Sequence, residues 1–210
     1  MIKKYLKVLI ITSVVILLPL VAGVALWDQL PDELPIHWNA SGEVDGWGSK
    51  PLVILGAPAL FLALQWIAAL ITQADPKRAN QSEKVRALSF WLIPLLSLAL
   101  PFVIYATALG RGIPITMVAS VLLGAIFVII GNYLPKCKQS YTVGIKLPWT
   151  LHSEENWNKT HRMAGWLWVA GGILMMALGF MDLLWASLIP PLFMALVPVI
   201  YSYLLYRKGI

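Results

Sequence analysis

Residues Val8–Trp27 read VLIITSVVILLPLVAGVALW, twenty consecutive positions without a Lys, Arg, Asp, Glu or His. An α-helix rises 1.5 Å per residue, so about 20 apolar residues cross the hydrocarbon core of a bilayer. Lys3, Lys4 and Lys7 precede the run, and Ala22, Gly23 and Ala25 are small enough for a signal peptidase. A signal sequence, however, has an apolar core of only about 7–15 residues. The run therefore reads as a retained span. Five further charge-free runs follow at Pro51–Thr72, Ala87–Leu109, Ile113–Leu134, Met163–Met181 and Leu183–Tyr206. The composition of the whole chain agrees: of 210 residues 59% are hydrophobic and 12% charged. Mean hydropathy is +0.76. A soluble domain carries about 25% charged residues, so a water-facing globule is excluded.

The expected fold class is all-α integral membrane, with six transmembrane helices, one structured outer loop and one structured inner loop. Three segments are expected. Residues 1–86 hold a helix pair (spans 8–27 and 51–72) around the outer loop. Residues 87–134 hold spans 87–109 and 113–134. Residues 135–210 hold the inner loop with spans 163–181 and 183–206.

The formal charge of +6 acquires meaning when it is sorted by side. With the N-terminus inside, segments 1–7, 73–86, 135–162 and 207–210 carry fourteen of the sixteen Lys and Arg residues. Only Lys50 and Arg111 fall outside, whereas six of the ten acidic residues do, among them Asp28, Asp32, Glu33, Glu43, Asp45 and Asp182. Excess Lys and Arg marks cytoplasmic loops. Both termini are expected in the cytoplasm, and the basic excess is an orientation signal with no direct nucleic-acid partner implied. The single cysteine, Cys137, excludes an intrachain disulfide framework.

Pro19, Pro58, Pro94, Pro101, Pro190, Pro191 and Pro198 fall inside spans. Each lacks a backbone donor, and a membrane bundle tolerates this when neighbours satisfy the freed carbonyl. In the fifth span Gly165, Gly172 and Gly179 recur every seven residues, joined by Gly171. Seven residues return to one helix face with only about 20° of drift. Small residues on one face let a second helix approach closely, so span five is expected to be the most centrally packed. Trp27, Trp91 and Trp185 sit at span ends, where interfacial aromatics belong.

Two long connections carry the specific chemistry. The outer one, Asp28–Lys50, reads DQLPDELPIHWNASGEVDGWGSK; the inner one, Pro135–Arg162, reads PKCKQSYTVGIKLPWTLHSEENWNKTHR. The outer loop is rich in turn-formers (Asn39, Ser41, Gly42, Asp45, Gly46, Gly48, Ser49) around His37, Trp38 and Trp47. It is expected to be compact, with Asp45 and Lys50 paired across its turns. In the inner loop Ser153 is placed to cap the fifth helix, with Glu154 and Glu155 favoured by the helix dipole. Helix phase puts Glu154, Asn158 and His161 on one face and aligns Trp157, His161, Ala164 and Trp168 in a stripe. Gly144–Thr150 reads as an extended strip ending in a turn, with Trp149 anchored at headgroup level.

Neither loop has the two-histidine spacing of a zinc protease. His161 lies two turns, about 10 Å, from Glu154, too far to share an ion. No Gly-rich phosphate loop, serine elbow or paired intramembrane aspartate is present. No catalytic residue, cofactor or metal is expected, and the chain is read as a binding protein. Ion-coupled carriers keep ionisable groups within the membrane, whereas the deepest polar side chains here are Gln65 and Asn132. The alternative reading is a carrier or exporter of a small or lipid-like molecule built on an inverted repeat. It rests on three spans per half and on Leu-Pro at the head of both loops (Leu30–Pro31, Leu134–Pro135).

The stretch Leu30–Lys50 resembles the outer-loop signature of the SdpI-like membrane proteins, a family of immunity proteins against a secreted, sporulation-delaying peptide toxin. The segment Gly131–Gly165 resembles the second signature of the same family. The family pattern maps onto Pro35, His37, Asn39, Gly42, Asp45 and Lys50 outside, and onto Gly144, Pro148, Trp149, Thr150, Trp157 and His161 inside. Ser140, Lys146 and Leu147 stand where the family often has Asn, Arg and Thr, and an ammonium lacks the bidentate fork of a guanidinium. The resemblance implies a bacterial cytoplasmic-membrane protein that binds or neutralises a membrane-active peptide and recruits a cytosolic transcriptional repressor. On that reading His37, Trp38, Asn39, Asp45, Trp47 and Lys50 meet the ligand. Lys146, Pro148, Trp149, Thr150, Trp157 and His161 meet the cytosolic partner, and membrane lipid surrounds the spans.

Overall fold

A computed structural model describes residues 2–39, 41–80, 83–181 and 183–210, so Asp182 lies outside the described residues. The chain forms two compact units, 1–73 with 87–115, and 74–86 with 116–210. The first contains α1 (Ile2–Ala25), strands β1 (Glu33–Trp38) and β2 (Val44–Ser49), α2 (Ala57–Ala74) and most of α3 (Glu83–Ala108). The second contains α4 (Ile115–Tyr133), the short α5 (Pro148–His152), α6 (Glu154–Phe180), the single turn α7 (Leu184–Ser187) and α8 (Ile189–Arg207).

Six helices are long and apolar enough to cross a membrane, and at most 28% of each span is buried within the fold. Phe102, Trp166, Phe180 and Trp185 are 66–76% exposed. Apolar surface on that scale suits lipid and not water. The protein is an α-helical integral membrane protein. Its ends depart from the hydropathy boundaries in three places. The second span opens with a π-helical turn at Leu52–Gly56, and α6 begins nine residues before Met163. The expected sixth span, Leu183–Tyr206, is broken by α7 before Pro190 and Pro191 start α8 afresh. The all-α expectation also missed the two strands of the outer loop.

The prolines explain much of the packing. Pro94 has no N–H, so the Phe90 carbonyl four residues earlier has no helical donor. Gln65 of α2, 1% exposed, donates its amide to that carbonyl at 3.0 Å and to Thr12 Oγ1 of α1 at 3.0 Å. Pro198 frees the Met194 carbonyl in the same way, and Trp168 of α6 donates its indole N–H there at 2.9 Å. Pro19 is used differently: its own carbonyl accepts from the Tyr105 hydroxyl at 3.2 Å.

The glycines of α6 act as expected. A Cβ on Gly172 would stand 2.5 Å from the Gly124 carbonyl oxygen, and one on Gly124 would stand 2.6 Å from the Gly172 oxygen. Gly165 likewise meets Gly131 and Pro135, and Gly179 meets Ser120, so α4 and α6 touch backbone to backbone. Gly171 points elsewhere, against Met194 and Pro190 of α8. α6 is therefore held on two sides.

Two outcomes are expected. Trp168→Phe keeps the ring but orphans the Met194 carbonyl, which should cost about 1–3 kcal/mol, the usual penalty for an unsatisfied buried group. Adding Pro198→Ala restores a helical donor, so the double variant should recover most of that loss in thermal unfolding in detergent. Strict additivity of the two substitutions would refute the pairing.

Candidate functional site

The outer loop is an antiparallel hairpin. Its register pairs Pro35 with Trp47, His37 with Gly46 and Trp38 with Val44, so Ile36 and Asp45 are each the extra residue of a bulge. Bulges re-aim side chains. Gly46 is required opposite His37, because a Cβ there would come 2.8 Å from the His37 Cβ. The turn is built by Asn39, whose Oδ1 accepts the amides of Ser41 at 2.9 Å and Glu43 at 3.0 Å, and by Gly42 at φ 80°. Asn39 Nδ2 donates to Glu43 Oε2 at 3.2 Å.

The expected Asp45–Lys50 pair does not form. His37 Nδ1 lies 2.5 Å from Asp45 Oδ1, because the two bulges bring these side chains together on the exposed hairpin. Lys50 is drawn inward instead. Its ammonium donates to the Leu30 carbonyl at 2.8 Å and the Trp27 carbonyl at 3.2 Å, pairs with Asp32 at 3.3 Å and lies 5.4 Å from the Trp27 ring centroid. Lys50 thus fastens the hairpin base to the end of α1, beside the buried cluster of Leu30, Leu34, Val53, Ile54 and Tyr105. Trp38 is half-buried, whereas Ile36, His37, Asp45 and Trp47 are exposed. The hairpin displays apolar and acidic groups from a base that is fully tied down.

The inner loop is a knot of buried polar bonds. Trp157 and His161 of α6 are fully buried and stacked, ring centroids 4.0 Å apart. Trp157 donates its indole N–H to the Cys137 carbonyl at 2.7 Å. His161 Nε2 accepts the Ile145 amide at 2.9 Å, which fixes the neutral tautomer with Nδ1 donating to the Trp157 carbonyl at 2.8 Å. Gly144 at φ 121° lies so close that a Cβ would meet His161 Nε2 and the Trp157 ring at 2.6 Å. Only glycine fits, for both conformation and space. Thr150, also buried, accepts the Leu147 amide and donates to the Ile145 carbonyl, each at 2.9 Å. Ser153 caps α6 by accepting the Asn156 amide at 3.2 Å.

The helix-phase group divides by burial. Glu154 and Asn158 are exposed, but His161 is buried because Gly144 and Ile145 cover its ring. The strip before Pro148 ends in a full helical turn, α5, which presents Trp149 to α8. There its indole donates to Ser202 Oγ at 2.7 Å and stacks on Tyr206. Of the partner-facing candidates, Lys146 and Pro148 are exposed and Trp149 is half-buried, while Thr150, Trp157 and His161 lie inside.

Sequence reasoning missed Asp75 and Gln139. Asp75 is buried, and its Oδ2 accepts from Ser140 Oγ at 2.7 Å, Thr142 Oγ1 at 2.8 Å, and the Tyr141 and Thr142 amides at 3.0 Å. Its Oδ1 accepts the Lys77 amide at 2.8 Å. Burial pushes this carboxyl up, but the donors of Ser140, Thr142, Lys77 and Tyr141 outweigh burial and hold it below its ordinary value. Gln139 donates to the carbonyls of Thr150 at 2.9 Å and Leu151 at 2.8 Å and accepts from Lys77. An Asp-Pro pair in an otherwise basic segment was the one signal available.

Asp75→Asn should therefore destabilise the protein by about 1.5–3 kcal/mol at neutral pH, the range for hydrogen bonds to a charged group. Because the folded pKa is depressed, that contribution is complete above the ordinary value of 3.8 and is lost as pH falls through the folded value. In thermal unfolding the difference between the two proteins should stay constant from pH 7 down to the ordinary value of 3.8 and narrow as the pH falls further. Burial also pushes the Cys137 thiol up to about 11. A maleimide at pH 7 should leave Cys137 unlabelled in native membranes and label it after denaturation.

Residues 136–202 match the model of the SdpI/YfhL protein family, and residues 14–62 match DUF1648, a domain of unknown function. The first match covers the inner-loop knot with α6 and most of α8; the second spans the whole hairpin. The chain is similar to the immunity protein SdpI of Bacillus subtilis (strain 168), 25% identical over 202 residues, covering 95% of this chain and 96% of that protein. No solved structure matches. By its six apolar helices, its C-terminal family match and a relative aligned along nearly its full length, this chain is a membrane protein similar to the SdpI family.

Proposed function

We propose that this protein is a membrane immunity and signal-receptor protein that binds a secreted, membrane-active peptide at its hairpin. The observation that carries the reading is the division of labour within Asp28–Lys50. Leu34, Gly46, Gly48 and Lys50 build and anchor the hairpin, whereas Ile36, His37, Asp45 and Trp47 are exposed on it. Exposed apolar surface on an otherwise fixed element marks a contact site. The acidic residues Asp28, Asp32, Glu33, Glu43 and Asp45 add complementarity to a basic amphipathic peptide. The name of the full-length relative, an immunity protein, points the same way.

In this reading the termini are cytoplasmic, the hairpin faces outward and the inner loop faces the cytosol, as the distribution of Lys and Arg implies. Asn39 and Lys50 position the ligand face, and Trp38 supports it. On the inner side Lys146, Pro148 and Trp149 meet a cytosolic repressor, while Thr150, Trp157 and His161 hold them in place. The role is binding, with no catalytic step.

Expression in a strain sensitive to the sporulation-delaying peptide tests the proposal. Survival should rise with the wild-type protein, and unchanged survival with correctly inserted protein would overturn it. Trp47→Ala should weaken binding of the purified peptide by about 2 kcal/mol, the scale of an aromatic hot spot. His37→Ala and Trp38→Ala should weaken it less. Thermal unfolding temperatures should stay within a few degrees of wild type, since these side chains carry little of the fold.

A further inference from the structure

Where α4 ends beside α6, an open pocket of about 550 Å³ is lined by Asn132, Lys136, Asn158, Arg162, Trp166 and Val169. Its floor is the close contact of Gly131 with Gly165. We propose that this pocket binds the headgroup of an anionic phospholipid, with Lys136 and Arg162 on the phosphate and Trp166 and Val169 against the acyl chain.

Three observations support this. First, the two cations are unneutralised: among the described residues no carboxylate lies within 4.0 Å of either, and the nearby Glu155 is already paired with Lys159 at 2.7 Å. Lys136 instead rests 4.8 Å from the Tyr133 ring centroid, an arrangement that leaves its donors available. Secondly, Asn158, Arg162, Trp166 and Val169 follow one another at spacings of four, four and three along α6, so they form one continuous stripe. That stripe runs from amide to guanidinium to indole to aliphatic, which is the order of a lipid from headgroup to chain. Thirdly, Trp166 is 76% exposed on a helix long enough to span the membrane, so the apolar end of the stripe opens into the lipid phase and not into a closed cavity. Basic pockets between transmembrane helices on the cytoplasmic side recognise anionic headgroups. A free phosphate would use the cations but gain nothing from the indole wall.

The glycine floor makes the pocket possible. Close approach of α4 and α6 at Gly131 and Gly165 brings Lys136 and Arg162 to the rim of one depression.

The test uses the full-length protein in neutral detergent, with dioleoyl phosphatidylglycerol, dioleoyl phosphatidylcholine and sn-glycerol 3-phosphate as probes. Native mass spectrometry should show phosphatidylglycerol retained preferentially over phosphatidylcholine, with glycerol phosphate not retained. Each surface cation is worth about fivefold in affinity, so Lys136→Gln with Arg162→Gln should weaken phosphatidylglycerol binding roughly 25-fold. A charge-matched control, Lys138→Gln with Lys146→Gln, should keep most of it. Should the double pocket variant fail to fold, Trp166→Ala, which leaves both cations, should shorten lipid retention without abolishing the preference for phosphatidylglycerol. Equal retention of the two lipids, equal loss in the control variant, or retention of glycerol phosphate as strong as that of the lipid would each overturn the proposal.

Discussion

Inside a bilayer every backbone carbonyl needs a donor from the protein, because no water is present to supply one. A chain with prolines inside three of its spanning helices breaks that rule at each of them unless a neighbour repairs it. Gln65 repairs the gap left by Pro94, and Trp168 repairs the one left by Pro198. Each repair also dictates which helix must lie beside the break, so α2 is bound to α3 and α6 to α8. Apolar side chains could not supply this specificity, since lipid tails are as apolar as leucine. The polar side chains buried in the spans are therefore the parts that choose partners, and the glycines of α6 then set how close the chosen partner comes.

The two loops divide their residues in opposite proportions. In the hairpin His37, Asp45 and Trp47 point outward, while Asn39 and Lys50 join Leu34, Gly46 and Gly48 in holding the shape. In the inner loop the distinctive side chains are the shape: Trp157, His161, Gly144 and Thr150 interlock, and little of them reaches the surface. A shared signature residue thus means different things on the two loops. His37 is available to a ligand; His161, with both ring nitrogens engaged by backbone groups, is available to nothing outside the protein.

How much of this was legible before folding follows from the physics. The six spans were, because helix length and apolarity are imposed locally by membrane thickness. The α4-facing glycines of α6 were, because a seven-residue period is a property of one helix. The Ser153 cap was, for the same local reason. The hairpin was not: β1 contains Pro35 and β2 contains Gly46 and Gly48, which all weaken a strand pattern, and two bulges interrupt the alternation. Lys50 and Asp45 lie five residues apart, yet their partners were decided by bulge geometry that no spacing reports. The burial of His161 was not legible, because helix phase says which way a side chain points but not which distant loop will lie over it. Gln65 was visible as an oddity, and its purpose required knowing that Phe90 would come to it.

Asp75 adds a matter of timing. Its side-chain donors and two of its amide donors lie 65 to 67 residues downstream. At a synthesis rate of about 5–20 residues per second, the carboxylate leaves the ribosome several seconds before the groups that will enclose it. Through that interval α4 must be made and inserted while the segment after α2 stays hydrated. The connection between the second and third spans therefore takes its final form only after the fourth span is in place, and the insertion machinery handles an unfinished protein until then. Four spans in, the chain is threaded but not yet fastened; the Ser140–Thr142 stretch is the clasp that closes it.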